Sequence, residues 1–346
     1  ILEIDNLDNL DIPYLVIGET ITQKKISLNN SYNIRIDEML NEWIKPLESI
    51  FPIKKDAGGK IKDYQYTYGN KLEKSRNISI AKPRVFIPVF PGTNCEYDTK
   101  RAFERAGAIA ETFVFKNLSP SDIEFSIKEM TKLINESQIV AFPGGFSAGD
   151  EPDGSGKFIA ATFRNPMLSE AIMNLIKNRD GLMIGICNGF QALIKLGLVP
   201  YGEIREIGKD DPTLTYNTIG RHISTFALTK VVSNLSPWFN NCNISDVYNI
   251  PLSHGEGRFM ANEEWIKKLK ENGQIATQYV DSDFNPSYNG LFNPNGSVEA
   301  IEGITSPDGR ILGKMGHSER LDIGTYKNIP HNKDQKLFEA GVAYFK

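Results

Sequence analysis

The run Leu182-Met-Ile-Gly-Ile-Cys-Asn-Gly-Phe-Gln191 constrains this chain more than any other stretch. Three apolar residues feed a Gly-x-Cys-x-Gly turn, and a helix-like segment follows at once. A strand that enters a helix through so sharp a turn forces strained dihedrals on the central residue. Gly185 and Gly189 make that tolerable by removing the side chains that would collide. The pattern is a nucleophile elbow, which thrusts Cys187 above the carboxyl edge of a sheet with a helix N-terminus behind it. Partial positive charge there lowers a thiol pKa and favours the thiolate that attacks carbonyl carbon. A buried core cysteine is the plainer reading of a lone thiol, but the flanking glycines favour the nucleophile.

A nucleophilic thiol needs a base and a group to orient it, and only His222, His254, His317 and His331 are available. In Gly313-Lys-Met-Gly-His-Ser-Glu-Arg320, Glu319 stands two residues beyond His317. On an extended stretch both side chains share a face, so the carboxylate can hold the imidazole tautomer that accepts the thiol proton. Ser253-His-Gly-Glu-Gly-Arg258 offers the same spacing in His254 and Glu256, and is the one serious rival. Glycines 255 and 257 suit it to a tight loop at a pocket wall. His222 could contribute to the pocket, and His331 reads as a solvated surface residue.

Residues Ile139-Val-Ala-Phe-Pro-Gly-Gly-Phe-Ser-Ala-Gly-Asp150 read as a buried strand running into a glycine-rich loop. Backbone N–H groups of Gly145 and Asn188 are the candidate donors to a developing oxyanion. The spacing fits neither of the common phosphate-cradling glycine patterns.

Together these stretches resemble the class I, or triad, glutamine amidotransferases. With Val89-Phe-Pro-Gly-Thr-Asn-Cys-Glu96 and the 253–258 motif they resemble, more narrowly, the amidotransferase domain of phosphoribosylformylglycinamidine synthase. Two positions depart from that family's pattern: Ala148 stands where tyrosine is usual and Ser318 where proline is usual, which frees a backbone that proline would stiffen. The resemblance implies that Cys187 attacks the glutamine amide, His317 shuttles the proton and Glu319 orients His317. It leaves His254 and Glu256 as pocket lining and makes Gln191 a hydrogen-bond partner for bound glutamine. It further implies no cofactor in this chain, with ATP and magnesium in a synthetase part of the same polypeptide. Cys95 carries no base motif nearby and reads as structural.

Alternating strand and helix patterns from Arg84 onward predict an α/β fold, a doubly wound, mainly parallel, flavodoxin-like sheet with its site at the strands' carboxyl ends. Strand-like runs in 214–300, such as Phe226–Val232, suggest an antiparallel insertion. Residues 83–346 form the expected amidotransferase domain. Residues 54–82, rich in Lys, Gly, Asp and Asn, read as an exposed linker. Residues 1–53 read as a small α+β fragment, with alternation over Asp11–Gly18 and helical spacing over Ile36–Leu47. On the resemblance, this is the tail of the ATP-dependent domain in the large single-chain form, so the chain is expected to be part of a longer polypeptide.

A net charge of −4 gives no nucleic-acid footprint, and no apolar run approaches a membrane span. Three cysteines make no disulfide framework and a working thiol suits a reducing compartment, so a cytoplasmic location is expected. Two other readings share parts of the pattern. A thiol hydrolase or peptidase would have the elbow without needing His-x-Glu so far downstream, and a non-catalytic module would be expected to have lost Cys187, His317 or Glu319.

Overall fold

The computed structural model describes all residues except 1–2, 9, 30, 60, 62, 64, 70–71, 73, 76–78 and 148–155. It divides into two compact units between Ile53 and Lys54.

In the first unit, β1 (Lys25–Leu28) and β2 (Tyr32–Arg35) pair antiparallel and lead into α1 (Ile36–Glu48). The helix carries Ile36, Met39, Leu40, Trp43 and Leu47 at helical spacing, yet buries none of them, and Trp43 is 77% exposed. The expected strand over Asp11–Gly18 is absent: these residues are irregular, with Leu15 84% exposed. Alternation alone does not make a strand where no neighbouring strand pairs its backbone groups.

The second unit opens β3 (Arg84–Val89), α2 (Glu96–Arg105), β4 (Ile109–Val114), α3 (Pro120–Glu136) and β5 (Ile139–Phe142), following the expected alternation closely. Local chemistry accounts for the match. Ser119 caps α3 by accepting from the Asp122 N–H at 3.2 Å, and Pro120 stands at the first helical position, where no donor is needed. There follow α4 (Lys157–Phe163), α5 (Pro166–Lys177), β6 (Leu182–Ile186), α6 (Asn188–Leu196) and α7 (Leu198–Tyr201). The rest comprises β7 (Thr213–Thr215), β8 (Ile223–Val231), β9 (Val247–His254), β10 (Arg258–Met260), α8 (Glu263–Glu271), β11 (Ile275–Tyr279), β12 (Ile301–Thr305), β13 (Ile311–Lys314) and α9 (Leu337–Ala343).

One nine-stranded sheet runs β4-β3-β5-β6-β13-β12-β11-β8-β9. Its first five strands are parallel and the remaining pairings antiparallel. The antiparallel strands expected as an insertion thus continue the main sheet, because β13 returns to pair with β6 and carries β12, β11, β8 and β9 outward. Phe86, Phe103, Phe142, Phe163, Phe190 and Trp238 are fully buried in the core, each worth roughly 1.5–3 kcal/mol over exposure.

Residues 54–82, read from composition as an exposed linker, carry backbone hydrogen bonds to the sheet unit. The described side chains of this stretch are largely exposed, but Ala57 N–H donates to Tyr288 O, Tyr66 N–H to Val232 O and Ile80 N–H to Phe345 O, at 3.0, 2.8 and 2.7 Å. Backbone hydrogen bonding, invisible to composition, straps this stretch to the sheet unit.

Candidate active site

Parallel strands place whatever follows each of them at one edge of the sheet. Four consecutive neighbours deliver the site here: Cys95 follows β3, Gly144 follows β5, Cys187 follows β6 and His317 follows β13. Cys187 has φ 53° and ψ −107°, the strained elbow conformation. The two glycines are needed on contact grounds as well. A Cβ on Gly189 would lie 2.0 Å from Phe142 O, and one on Gly185 2.6 Å from Leu193 Cδ1. The Cys187 N–H donates to Lys314 O at 2.8 Å, which ties the elbow directly to the strand that carries the histidine.

His317 Nδ1 bonds Glu319 Oε1 at 2.6 Å, and both side chains are buried. The other ring nitrogen, Nε2, is buried without a hydrogen-bond partner, open to a reacting proton. Gly144 is packed between the groups of the site: a Cβ there would meet His317 Cε1 at 2.7 Å, Cys95 Sγ at 3.1 Å and Cys187 Cβ at 3.5 Å. Burial would by itself raise the Glu319 carboxyl, but the charge and hydrogen bond of His317, helped by Arg320, hold it below the usual carboxylate range.

At the sheet's carboxyl edge, the thiol is nonetheless buried. Cys187 is 4% exposed, and burial, reinforced by Cys95 and Glu319, pushes its pKa up to about 12 in spite of the favourable Asn188 N–H. Desolvation outweighs the helix terminus, so the resting group is a thiol, donating to Ser253 O at 3.6 Å. Its proton must pass to a base as the sulfur attacks.

The remaining candidates are tied to this centre. Gly145 has φ +133°, and a Cβ on it would lie 2.7 Å from Gly92 O. The Gly144 carbonyl accepts from Asn94 N–H at 3.4 Å, so in the trans peptide the Gly145 N–H points the opposite way. Asn188 Oδ1 accepts from Ser147 N–H at 3.3 Å, joining the elbow to the glycine loop. Gln191 has both ends of its amide engaged, Oε1 with Asn188 Nδ2 at 3.0 Å and Nε2 with Glu256 O at 2.5 Å. It locks the elbow helix to the 253–258 loop. The end of the glycine loop, Ala148–Asp150, lies outside the described residues.

His254 is buried, with Nδ1 3.2 Å from Asn217 Oδ1, and burial pushes its pKa down to about 3. His222 is exposed, 3.1 Å from Ser253 Oγ and tilted against Phe146 of the glycine loop. His331 is exposed.

Cys95, read from sequence as structural, stands beside this centre. Its Sγ accepts from Arg320 Nη2 at 3.0 Å and lies 3.9 Å from His317 Nδ1. The missing signal was strand order. Only the adjacency of β3, β5, β6 and β13 brings residue 95 beside residue 317. Cys95, His317 and Glu319 have ligand atoms within 4.8 Å of one another. Arg320 beside the sulfur and the short His317–Glu319 hydrogen bond suit a proton-transfer pair better than a cation site.

Residues 82–345 match the family model of the CobB/CobQ-like glutamine amidotransferase domain. Over 240 residues the chain is 36% identical to phosphoribosylformylglycinamidine synthase subunit PurQ of Methanococcus maripaludis, covering 69% of this chain and 82% of that protein. The subunit of the same name from Treponema denticola is 33% identical over 286 residues, 76% of this chain and 99% of that protein. A structure of PurLQS from Thermotoga maritima matches with a TM-score of 0.55 at 25% identity, covering 77% of this chain and 100% of that one. The elbow, the buried His–Glu pair and these relatives agree: the chain belongs to the CobB/CobQ-like glutamine amidotransferase family, as an amidotransferase of the PurQ type.

Proposed function

We propose that this chain is the glutaminase of a phosphoribosylformylglycinamidine synthase, releasing ammonia for the ATP-dependent conversion of formylglycinamide ribonucleotide to its amidine. The observation that carries the reading is the buried His317–Glu319 pair, with Nε2 unpartnered, beside Gly144, where an added Cβ would meet both His317 and Cys187.

On this reading, Cys187 Sγ adds to the amide carbon of glutamine as His317 Nε2 takes the thiol proton. Burial pushes the Cys187 pKa up to about 12, so the sulfur needs a base to take its proton as it attacks. Glu319 keeps the Nδ1 proton in place and stabilises the imidazolium. The N–H groups of Gly145 and Asn188 meet the oxyanion. His317 then returns its proton to the departing nitrogen, ammonia leaves, and water activated by the same ring hydrolyses the thioester to glutamate. His254, Glu256 and Gln191 shape the pocket wall. ATP and magnesium belong to the synthetase part, and no step here needs them.

We further propose that the synthetase part belongs to the same polypeptide as this chain. The apolar face that α1 leaves exposed supports a further surface packing on this segment. The main proposal is tested by glutamate release. Cys187→Ala should abolish glutamine-dependent synthesis in the complete enzyme while ammonia still supports it, and retained turnover with glutamine would refute the mechanism.

A further inference from the structure

Behind His317 lies an ion pair with no exposure at all. Lys314 and Glu302 are both 0% exposed, with Nζ 3.2 Å from Oε1. Burying two charges is costly, and such a pair is often no more stabilising than apolar residues of similar volume. What this pair does hold is the backbone that carries the histidine. Glu302 Oε1 accepts from Gly316 N–H at 2.6 Å, and Lys314 Nζ donates to Gly316 O at 2.7 Å. Both peptide groups flanking Gly316 are thereby fixed, and the second of them is the bond into His317. Nζ also donates to Ser318 Oγ at 3.0 Å, whose hydroxyl donates onward to Gln335. Both hydrogen bonds from the ammonium reach the segment 316–318, and its ion pair goes to Glu302. Thr277 Oγ1 anchors the far oxygen of Glu302. The Lys314 carbonyl accepts from Cys187 N–H at 2.8 Å, so the residue that steadies the base also touches the nucleophile's backbone.

Ser318 stands where the family pattern has proline, which would stiffen this backbone covalently. We propose that the Lys314–Glu302 pair is a positioning device for His317, supplying by hydrogen bonds the rigidity that proline supplies at position 318. The inference rests on the glutaminase reading. Neither residue touches substrate. They act through the orientation of the His317 ring relative to Cys187, where a displacement of about 1 Å is enough to cost on the order of 10²-fold in rate.

The test uses the chain in complex with its synthetase part and measures glutamate release. In Lys314→Met/Glu302→Gln both charges go together, so no unpaired charge stays buried. This variant should melt near the wild-type temperature and keep KM for glutamine within about threefold, while kcat falls on the order of 10²-fold. Adding Ser318→Pro should return at least about tenfold of that loss. Such coupling is the mark of two devices doing one job. A folded double variant with wild-type kcat overturns the proposal, as does a loss that Ser318→Pro fails to reduce. Should the double variant not fold, Ser318→Ala leaves the ion pair in place and removes one acceptor: a several-fold fall in kcat at unchanged KM supports the proposal, and wild-type kcat overturns it. Absence of glutaminase activity in the wild-type complex would instead refute the function on which the inference rests.

Discussion

Two segments of this chain carry the same pattern, a histidine followed two residues later by a glutamate, and fold it into opposite chemistry. Nε2 is buried without a hydrogen-bond partner in both rings, but in His317-Ser318-Glu319 the carboxylate meets Nδ1 at 2.6 Å. In His254-Gly255-Glu256 the ring turns to Asn217 instead, and the backbone carbonyl of Glu256 accepts from Gln191. Both histidines are buried. One has a carboxylate to stabilise its protonated form; the other has an amide, and burial holds its pKa at about 3. A ring so reluctant to take a proton is a poor general base near neutrality. Spacing puts two groups within reach, and the local backbone decides whether they meet.

The sharpest way to break this comparison is to remove each ring. His317→Ala should lower kcat for glutamate release on the order of 10⁴-fold or more, the scale of losing a triad base, while His254→Ala costs at most about tenfold per folded molecule. A reversed order would transfer the triad to the other segment. Replacing the carboxylates comes next. Glu319→Gln keeps the volume but removes the charge that orients His317, for an expected loss of about 10³-fold, whereas Glu256→Gln should stay within about tenfold. Steady-state kinetics on the four proteins decide between the segments, and equal losses at 319 and 256 would erase the distinction.

How far this difference could be read from sequence depends on the range of the interaction. The elbow was legible because it is local: Gly185, Cys187 and Gly189 are forced by contacts with neighbours in the next turn and the adjacent strand. The strands and helices from Arg84 to Phe142 were legible for the same reason, through caps and apolar runs. Choosing between His317 and His254 needed the family resemblance, since their spacing is identical. Cys95 beside the base, the Lys314–Glu302 pair and the strap formed by 54–82 were not legible. Each depends on pairing between elements far apart in the chain.

Glycine offers a finer test, because each ring has one packed against it. A Cβ on Gly144 would approach His317 Cε1 at 2.7 Å, and a Cβ on Gly257 would enter the His254 ring at 2.3–2.6 Å. If the first ring works by position and the second by filling space, the two alanine variants should separate. Gly144→Ala is expected to lower kcat about 10²-fold with a modest effect on stability. Gly257→Ala should instead cost about 1–3 kcal/mol of stability through overpacking, with kcat per folded molecule much less affected. Denaturation midpoints alongside kinetics separate the two, and a purely structural loss in Gly144→Ala would remove that glycine from the site's working parts.

The smallest effect expected is one of pH, and it concerns the ring without a carboxylate. The folded pKa of His254 is near 3, against about 6.5 for an unfolded histidine. The unfolded chain therefore binds the proton first as pH falls. The stability this neutral ring contributes is fully present above about pH 6.5 and is lost as pH drops toward 3, at up to about 1.4 kcal/mol per unit. His254→Gln removes the titration while keeping a neutral group opposite Asn217. Chemical denaturation of both proteins at pH 7.5 and pH 5 isolates the contribution, since the other titrating groups are common to the pair. On acidification the wild type should lose about 2 kcal/mol more than the variant. Parallel losses would mean that His254 protonates in the folded state without penalty. The case for His317 over His254 would then rest on geometry alone.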